Sequence, residues 1–293
     1  MADSVTLSNS IRSNLLSLNQ TSTMVQRTNS RLSTGLKVSS AIDDAVAYFQ
    51  SKGLNDRAGD LTERKSGIDQ GISGLKTALT TLESAEKLMV QMKGVILSAK
   101  SATNTERGDL ATQFQTLSAQ VNNLVNDASY QGLNLVNATT AQMTIQFSDK
   151  TAAQLQVDGV DMRVSQFAGF STASATANAV SLSTFDTTYA GSWTSVSNSV
   201  SVFDKVIEKM DSAISTIRTN AKNIGTNVAL LQTRADFTKS YVNTLKEGAD
   251  KLSLADLNEE GANLVALQTR QQLGIQALSF AGQQEQGVLS LFR

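Results

Sequence analysis

The chain has 293 residues, 25 Lys+Arg against 26 Asp+Glu for a formal net charge of -1, and no Pro, Cys or His. Without imidazole or thiol it cannot build a Ser-His-Asp or Cys-His catalytic set, a disulfide framework or the usual zinc ligand sets. At roughly 150 residues per domain the length allows about two domains, and the evenly mixed charge leaves no basic stripe for nucleic acid or an anionic membrane.

The opening Met1-Ala-Asp-Ser-Val-Thr-Leu-Ser has neither the basic nor the apolar region of a cleavable signal peptide. No stretch approaches the roughly eighteen apolar residues of a membrane span, so a chain outside the ordinary secretory route is expected. The missing prolines suit long, unbroken helices, because a proline inside a helix removes an N–H and kinks the backbone.

The first predicted helix carries Ile11, Leu18, Val25 and Leu32 at seven-residue intervals, a single narrow seam beside the polar Asn14, Ser22 and Asn29. Such spacing sustained over several turns predicts a helix that packs along one line. A second, longer helix carries Leu61, Ile68, Leu75, Leu82, Met89 and Ile96, with Ile72 and Leu79 beside them, and a shorter one carries Leu110, Phe114, Leu117, Val121 and Leu124. After Tyr130 the pattern changes. Met143, Ile145 and Phe147 alternate with polar residues, and Leu155 and Val157 meet Asp158-Gly159 before Val160, Met162 and Val164. That spacing predicts a β-hairpin with a two-residue turn at Asp158-Gly159. Residues 167–202 hold no Lys or Arg and are rich in Ala, Ser, Thr, Gly and Asn, a composition too small and polar for its own core.

Helical spacing then returns. Phe203, Met210, Ile217, Ile224, Leu231, Thr238, Leu245 and Leu252 run in step, with Ile207, Ile214, Ala221, Val228, Ala235, Val242 and Ala249 at the companion position. At about 1.5 Å per residue this segment is a rod of roughly 75–80 Å. A last helix carries Leu257, Leu264, Gln271 and Leu278 with Leu267, Gly274, Ala281 and Val288. Four side-chain caps are predicted, at Ser40-Asp43, Thr103-Glu106, Ser201-Asp204 and Ser253-Asp256, each a side-chain oxygen followed three residues later by an acid.

The resulting fold class is mainly α: a long antiparallel helical coiled-coil rod with a small β-hairpin region and a short variable insert. The expected divisions are 1–35 with 255–293 (terminal helices), 36–140 with 200–254 (helical rod) and 141–199 (hairpin and variable surface segment). Gly67, Gly71 and Gly74 lie at small-residue spacing on the second helix; lacking a following Lys-Ser/Thr they predict close packing rather than a phosphate loop. Asp43-Asp44 and Glu259-Glu260 read as first-turn acids facing a helix dipole rather than as metal ligands. No cofactor, metal or catalytic residue is expected. The two terminal segments, about 1–35 and 255–293, make a poor isolated pair and are expected to be largely disordered in a monomer and to fold when many copies pack side by side.

Arg31-Leu-Ser-Thr-Gly-Leu-Lys-Val-Ser-Ser-Ala-Ile-Asp-Asp-Ala45 resembles the Arg-Leu-Ser-Ser-Gly-Leu-Arg-Ile-Asn-Ser-Ala-Lys-Asp-Asp-Ala signature of bacterial flagellin. Gln283-Gln-Glu-Gln-Gly-Val-Leu-Ser-Leu-Phe-Arg293 is similar to the last residues of that family, and Tyr130-Gln-Gly-Leu-Asn-Leu-Val to its segment closing the N-terminal helical part. The resemblance covers roughly 1–140 and 200–293. It implies a structural subunit, not an enzyme, that self-polymerises into the extracellular filament used for swimming. It further implies passage, unfolded and without a cleavable signal peptide, through a type III export channel, with an export chaperone, a filament cap and hook-filament junction proteins as partners.

On this resemblance the inner polymerisation seam comprises Leu7, Ile11, Leu18, Val25, Leu32, Leu257, Leu264, Leu267, Leu278, Val288 and Leu291. The outer rod seam comprises Leu61, Ile68, Leu75, Leu82, Met89, Ile96, Met210, Ile217, Ile224, Leu231 and Leu245. The polymorphic switch between strand packings is expected near Asp158-Gly159 and the outer seams. One departure stands out: where flagellins recognised by the animal innate immune receptor carry Arg-x-x-x-Leu-x-x-Gln, this chain holds Val90, Gly94 and Leu97. Two other readings share the heptads, a hook-filament junction protein and a soluble coiled-coil signalling or adaptor protein.

Overall fold

The computed structural model describes residues 9–148, 153–163 and 199–291. Among them run helices α1 (Asn9–Thr34), α2 (Ala45–Ser101) and α3 (Asn104–Asp127) and strands β1 (Ser129–Tyr130), β2 (Leu133–Asn134), β3 (Gln142–Gln146) and β4 (Gln154–Asp158). Helices α4 (Ser199–Ser253) and α5 (Leu257–Leu291) follow. The variable stretch read between Phe167 and Val202 lies outside the described residues up to position 198. The chain divides into two compact units, Asp60–Val242 and Met1–Gly59 with Asn243–Arg293, so both α2 and α4 contribute to each.

In the unit Asp60–Val242, the seam residues Ile68, Leu75, Leu82, Met89 and Ile96 of α2 are buried with Phe203, Met210, Ile217, Ile224 and Leu231 of α4 in one apolar cluster. Three ion pairs mark one flank of these helices: Glu86 with Arg218, Lys93 with Asp211, and Lys100 with Asp204. Each step of seven forward along α2 is a step of seven back along α4, which is the register of an antiparallel coiled coil. On the other flank the equivalent positions are apolar. Leu88, Val95, Val206 and Ala213 join the cluster that α3 enters through Ala111, Phe114, Val121 and Val125. A helix laid over that flank removes it from water, so charge is tolerated only on the uncovered side.

The β region departs from its sequence reading. The two-residue turn sits between β1 and β2, where Gln131 (φ 51°) and Gly132 (φ 81°) both take the left-handed backbone of a tight hairpin. Asp158-Gly159 forms no turn: β3 and β4 pair antiparallel with Ile145 opposite Leu155 and Met143 opposite Val157, and β4 ends at Asp158. The chain then runs on beside an earlier segment, Val160 N–H donating to Leu135 O (2.8 Å) and Met162 N–H to Val136 O (2.8 Å). Gly159 is needed for closeness rather than for curvature, because a Cβ there would lie 2.5 Å from Ala138 O. The alternation of apolar residues located the strands, but a Gly after an Asp served a different purpose.

Gly71 and Gly74 of α2 receive the β3 strand. A Cβ at Gly71 would lie 2.4 Å from Ile145 Cδ1 and one at Gly74 2.6 Å from Met143 Cε, whereas Gly67 faces nothing within 4 Å. Of the four predicted caps, Thr103-Glu106 matches: the Thr103 N–H and hydroxyl both donate to Glu106 Oε2 at 2.9 Å, holding that carboxyl below its ordinary range. At Ser253-Asp256 the acid itself is the cap, Asn258 N–H donating to Asp256 Oδ1 (2.9 Å). At Ser40-Asp43 the acid accepts the Ser40 N–H (3.1 Å) ahead of the helix, and the next residue caps α2, Ala47 N–H donating to Asp44 Oδ1 (3.0 Å). Ser201-Asp204 lies inside α4, which begins at Ser199.

In the other unit, α1 stops at Gly35, whose positive φ (71°) and N–H bond to Arg31 O (2.8 Å) close the helix. Leu36 then bridges to Leu254, with Lys37 N–H donating to Ser253 O (2.8 Å) and Ala255 N–H to Gly35 O (2.9 Å). Helix α1 ends at Thr34 and α4 at Ser253, while the compact units part inside α2 and α4.

Candidate polymerisation surface

Helices α1 and α5 pack on one another. Two contacts fix their register: Gly274 admits Leu18, whose Cδ1 would lie 2.8 Å from a Cβ there, and Arg31 donates to Glu260 Oε1 at 2.8 Å. Arg31 is in the last turn of α1 and Glu260 in the first turn of α5, so each charge also faces the helix end its sign favours. Glu260 is buried and Arg31 half-buried, which makes the pair costly to break from one side.

The seam between them is thin. Ile11 is buried, Leu18 and Val25 are half-buried and Leu32 is exposed; on α5, Leu264, Leu267 and Leu278 are half-buried and Leu257 is exposed. Leu7 lies outside the described residues, and Val288 and Leu291 outside those whose side chains are described. Buried threonines occupy the companion positions of α1, at Thr21 and Thr28, instead of the Asn14, Ser22 and Asn29 singled out from sequence. The Thr21 hydroxyl satisfies itself on Ser17 O (2.9 Å), leaving its methyl free to pack; a polarity count cannot see this.

The pair leaves apolar surface uncovered that the heptad spacing does not mark. Leu16 and Met24 of α1, with Asn19, Gln20, Thr23 and Arg27, line an open groove. Val265, Leu273, Ile275 and Phe280 of α5 are each more than half exposed. Beyond its first turn α5 carries a single charge, Arg270, as far as residue 284, and its apolar residues lie on every side. A helix that is apolar all round belongs in an interior. Heptad counting found the side of α5 that meets α1, because only that side has a regular period; the remaining apolar residues follow no single stripe.

The outer rod seam sits elsewhere. Ile68, Leu75, Leu82, Met89, Ile96, Met210, Ile217, Ile224, Leu231 and Leu245 are buried and Leu61 half-buried, all as packing within the chain. Val90, Gly94 and Leu97 are exposed on α2. Among the described residues no cluster of acids could hold a metal ion, and no helix is long and apolar enough to cross a membrane.

Two family models cover the helical parts of the chain: the bacterial flagellin N-terminal helical region at residues 6–141 and the C-terminal helical region at residues 207–292. The chain belongs to the bacterial flagellin family. It is 27% identical over 282 residues to a flagellin of Brucella melitensis, covering 95% of both chains. It is 28% identical over 281 residues to flagellin FljM of Caulobacter vibrioides, covering 95% of this chain and 94% of that one. A putative flagellar hook-associated protein of Vibrio parahaemolyticus matches in structure with a TM-score of 0.59 and 12% identity, over 72% of this flagellin and all of that chain, which shows a shared fold. As a flagellin the chain is a structural protein that self-polymerises into the flagellar filament of swimming bacteria.

Proposed function

We propose that this flagellin joins its neighbours in the filament through the outer faces of the α1–α5 pair, with the seam between the two helices serving mainly to hold them together. The observation that carries this is the set of exposed apolar side chains around the pair: Val265, Leu273, Ile275 and Phe280 on α5, and Leu16 and Met24 on α1. Covering one such side chain contributes about 1.5–3 kcal/mol, and fixing a subunit in place costs about 4–15 kcal/mol. Several must therefore be covered together, and assembly is steeply cooperative. The seam of Ile11, Leu18, Val25, Leu264, Leu267 and Leu278 supplies too little burial to hold the terminal helices firmly in a free subunit.

The outer seams keep α2 against α4 in every state, and the polymer is the whole function, with no catalysis or cofactor. Export proceeds through a type III channel to the outside of the cell, in the hands of an export chaperone, with a filament cap and hook-filament junction proteins at the two ends. The missing cysteines suit a chain that leaves the cytosol, where a free thiol can form a stray disulfide. A Leu273→Asp/Phe280→Asp chain tests the reading: it should not pellet with seeds at concentrations where the unaltered chain does, while its thermal unfolding by far-UV circular dichroism keeps the α2–α4 transition. Normal filaments from the double variant would overturn it.

A further inference from the structure

The turn between α1 and α2 presents an apolar side chain to water and is built to keep it there. Ile42 is 96% exposed, and Val46 (67%) and Phe49 (62%) follow it at four- and seven-residue spacing on the first turns of α2. Just beside Ile42, one carboxylate oxygen, Asp43 Oδ2, accepts the N–H and hydroxyl of Ser39 (3.1 and 3.0 Å) and the N–H and hydroxyl of Ser40 (3.1 and 3.2 Å). Asp43 N–H donates back to Ser40 O (3.1 Å), and Asp44 caps the helix that follows. The Ser39 hydroxyl, more than any other group, holds the Asp43 carboxyl below its ordinary range. Ile42 therefore projects from a turn that has little left to order on binding, which is how an anchor residue acquires affinity.

We propose that Ile42, backed by Val46 and Phe49, is a docking knob that seats on a second copy of this chain in the filament. Two observations choose that occupant. The turn leads out of the Leu36–Leu254 bridge, whose neighbourhood exposes Leu32, Leu254 and Leu257, so the apolar surface of the α1–α5 pair continues to the junction that carries the knob. In a helical homopolymer every copy meets the same neighbouring surface, so one exposed side chain per copy is a contact repeated at every subunit. The stretch it belongs to resembles a signature with Lys at this position; here an aliphatic group, Ile42, stands where that signature has a cation.

The inference rests on this chain being a filament subunit, and its test separates the two. The chain has no cysteine, so Ile42→Cys places a unique thiol on the knob for maleimide labelling before and after seeded assembly. Labelling should slow at least about tenfold in filaments, since thiol reactivity follows exposure. Ile42→Asp should raise the critical concentration about tenfold while leaving the melting of the free subunit unchanged, because the side chain is almost wholly in water there. Filaments of the Ile42→Cys chain that form normally while their thiol reacts as fast as in the free subunit would overturn the knob and leave the terminal-helix reading standing. Normal seeded assembly of the Ile42→Asp chain in solution, with shortened filaments only on cells, would overturn it in favour of a helper protein as the occupant.

Discussion

At position 71 a hydrogen stands where any other residue would push a methyl to within 2.4 Å of Ile145 Cδ1 and 2.8 Å of its Cγ1. Ile145 is buried and branched at Cβ, so it has few rotamers to retreat into. Gly71→Ala should destabilise the unit Asp60–Val242 by about 1–2 kcal/mol despite the better helix propensity of alanine. Ile145→Val, which removes the clashing methyl, should recover part of that loss in the double variant. Gly94, with nothing within 4 Å, is the control: Gly94→Ala should stabilise by about 0.5–1 kcal/mol. Urea titration of the three variants checks all of this. The sequence spacing of Gly67, Gly71 and Gly74 already marked a close approach; what approaches is a strand from about seventy residues on, and no local pattern could name it. The same helix presents Val90, Gly94 and Leu97 to solvent with no arginine, central leucine or glutamine among them. Weak or absent activation of the flagellin receptor should follow, and a reporter-cell assay with purified subunit would refute it by showing full response.

The helices α2 and α4 were legible as elements because each holds one apolar period over many turns. Their mutual register was not, since a heptad repeat pairs with itself equally well after a slip of seven. The ion pairs on the open flank resolve this. Sliding one helix by a heptad one way sets Glu86 against Asp211, and the other way sets Lys93 against Arg218. Mixed signs along one flank therefore penalise either slip, as charge patterns do in coiled coils generally. Exposed pairs contribute only about 0.2–1 kcal/mol each, so the specificity outweighs the stability. Glu86→Lys should lower the unfolding midpoint slightly at low salt, the Glu86→Lys/Arg218→Glu chain should regain it, and the difference should vanish near 1 M salt, where screening acts within about 3 Å. A single-variant loss that persists at high salt would mean that packing, and not charge, is responsible. Helix ends were read less well than helix interiors, because Ser-x-x-Asp fits a cap at either of its two residues: at Ser253-Asp256 the acid is the cap, and after Ser40-Asp43 the cap falls one residue on, at Asp44.

For the molecule as a whole, the contrast lies between two ways of burying apolar surface. The α2–α4 seams are filled within one chain by Leu, Ile, Met and Val, whereas the α1–α5 seam is finished with threonines, a glycine contact and one ion pair, and leaves large side chains facing water. Both ends of the sequence announced the flagellin resemblance, and the family models fall on the same two stretches. The distribution of uncovered residues around α5 was hidden, because exposure depends on which side meets α1. Other copies of the chain must supply what α1 and α5 lack. Amide hydrogen exchange on the free subunit and on seeded filaments measures this directly. Residues 9–34 and 257–291 should exchange quickly in the free chain and become strongly protected on assembly, while the core of α2 and α4 is slow in both. Full protection of the terminal helices in a monodisperse free subunit, or their continued fast exchange inside the filament, would contradict it.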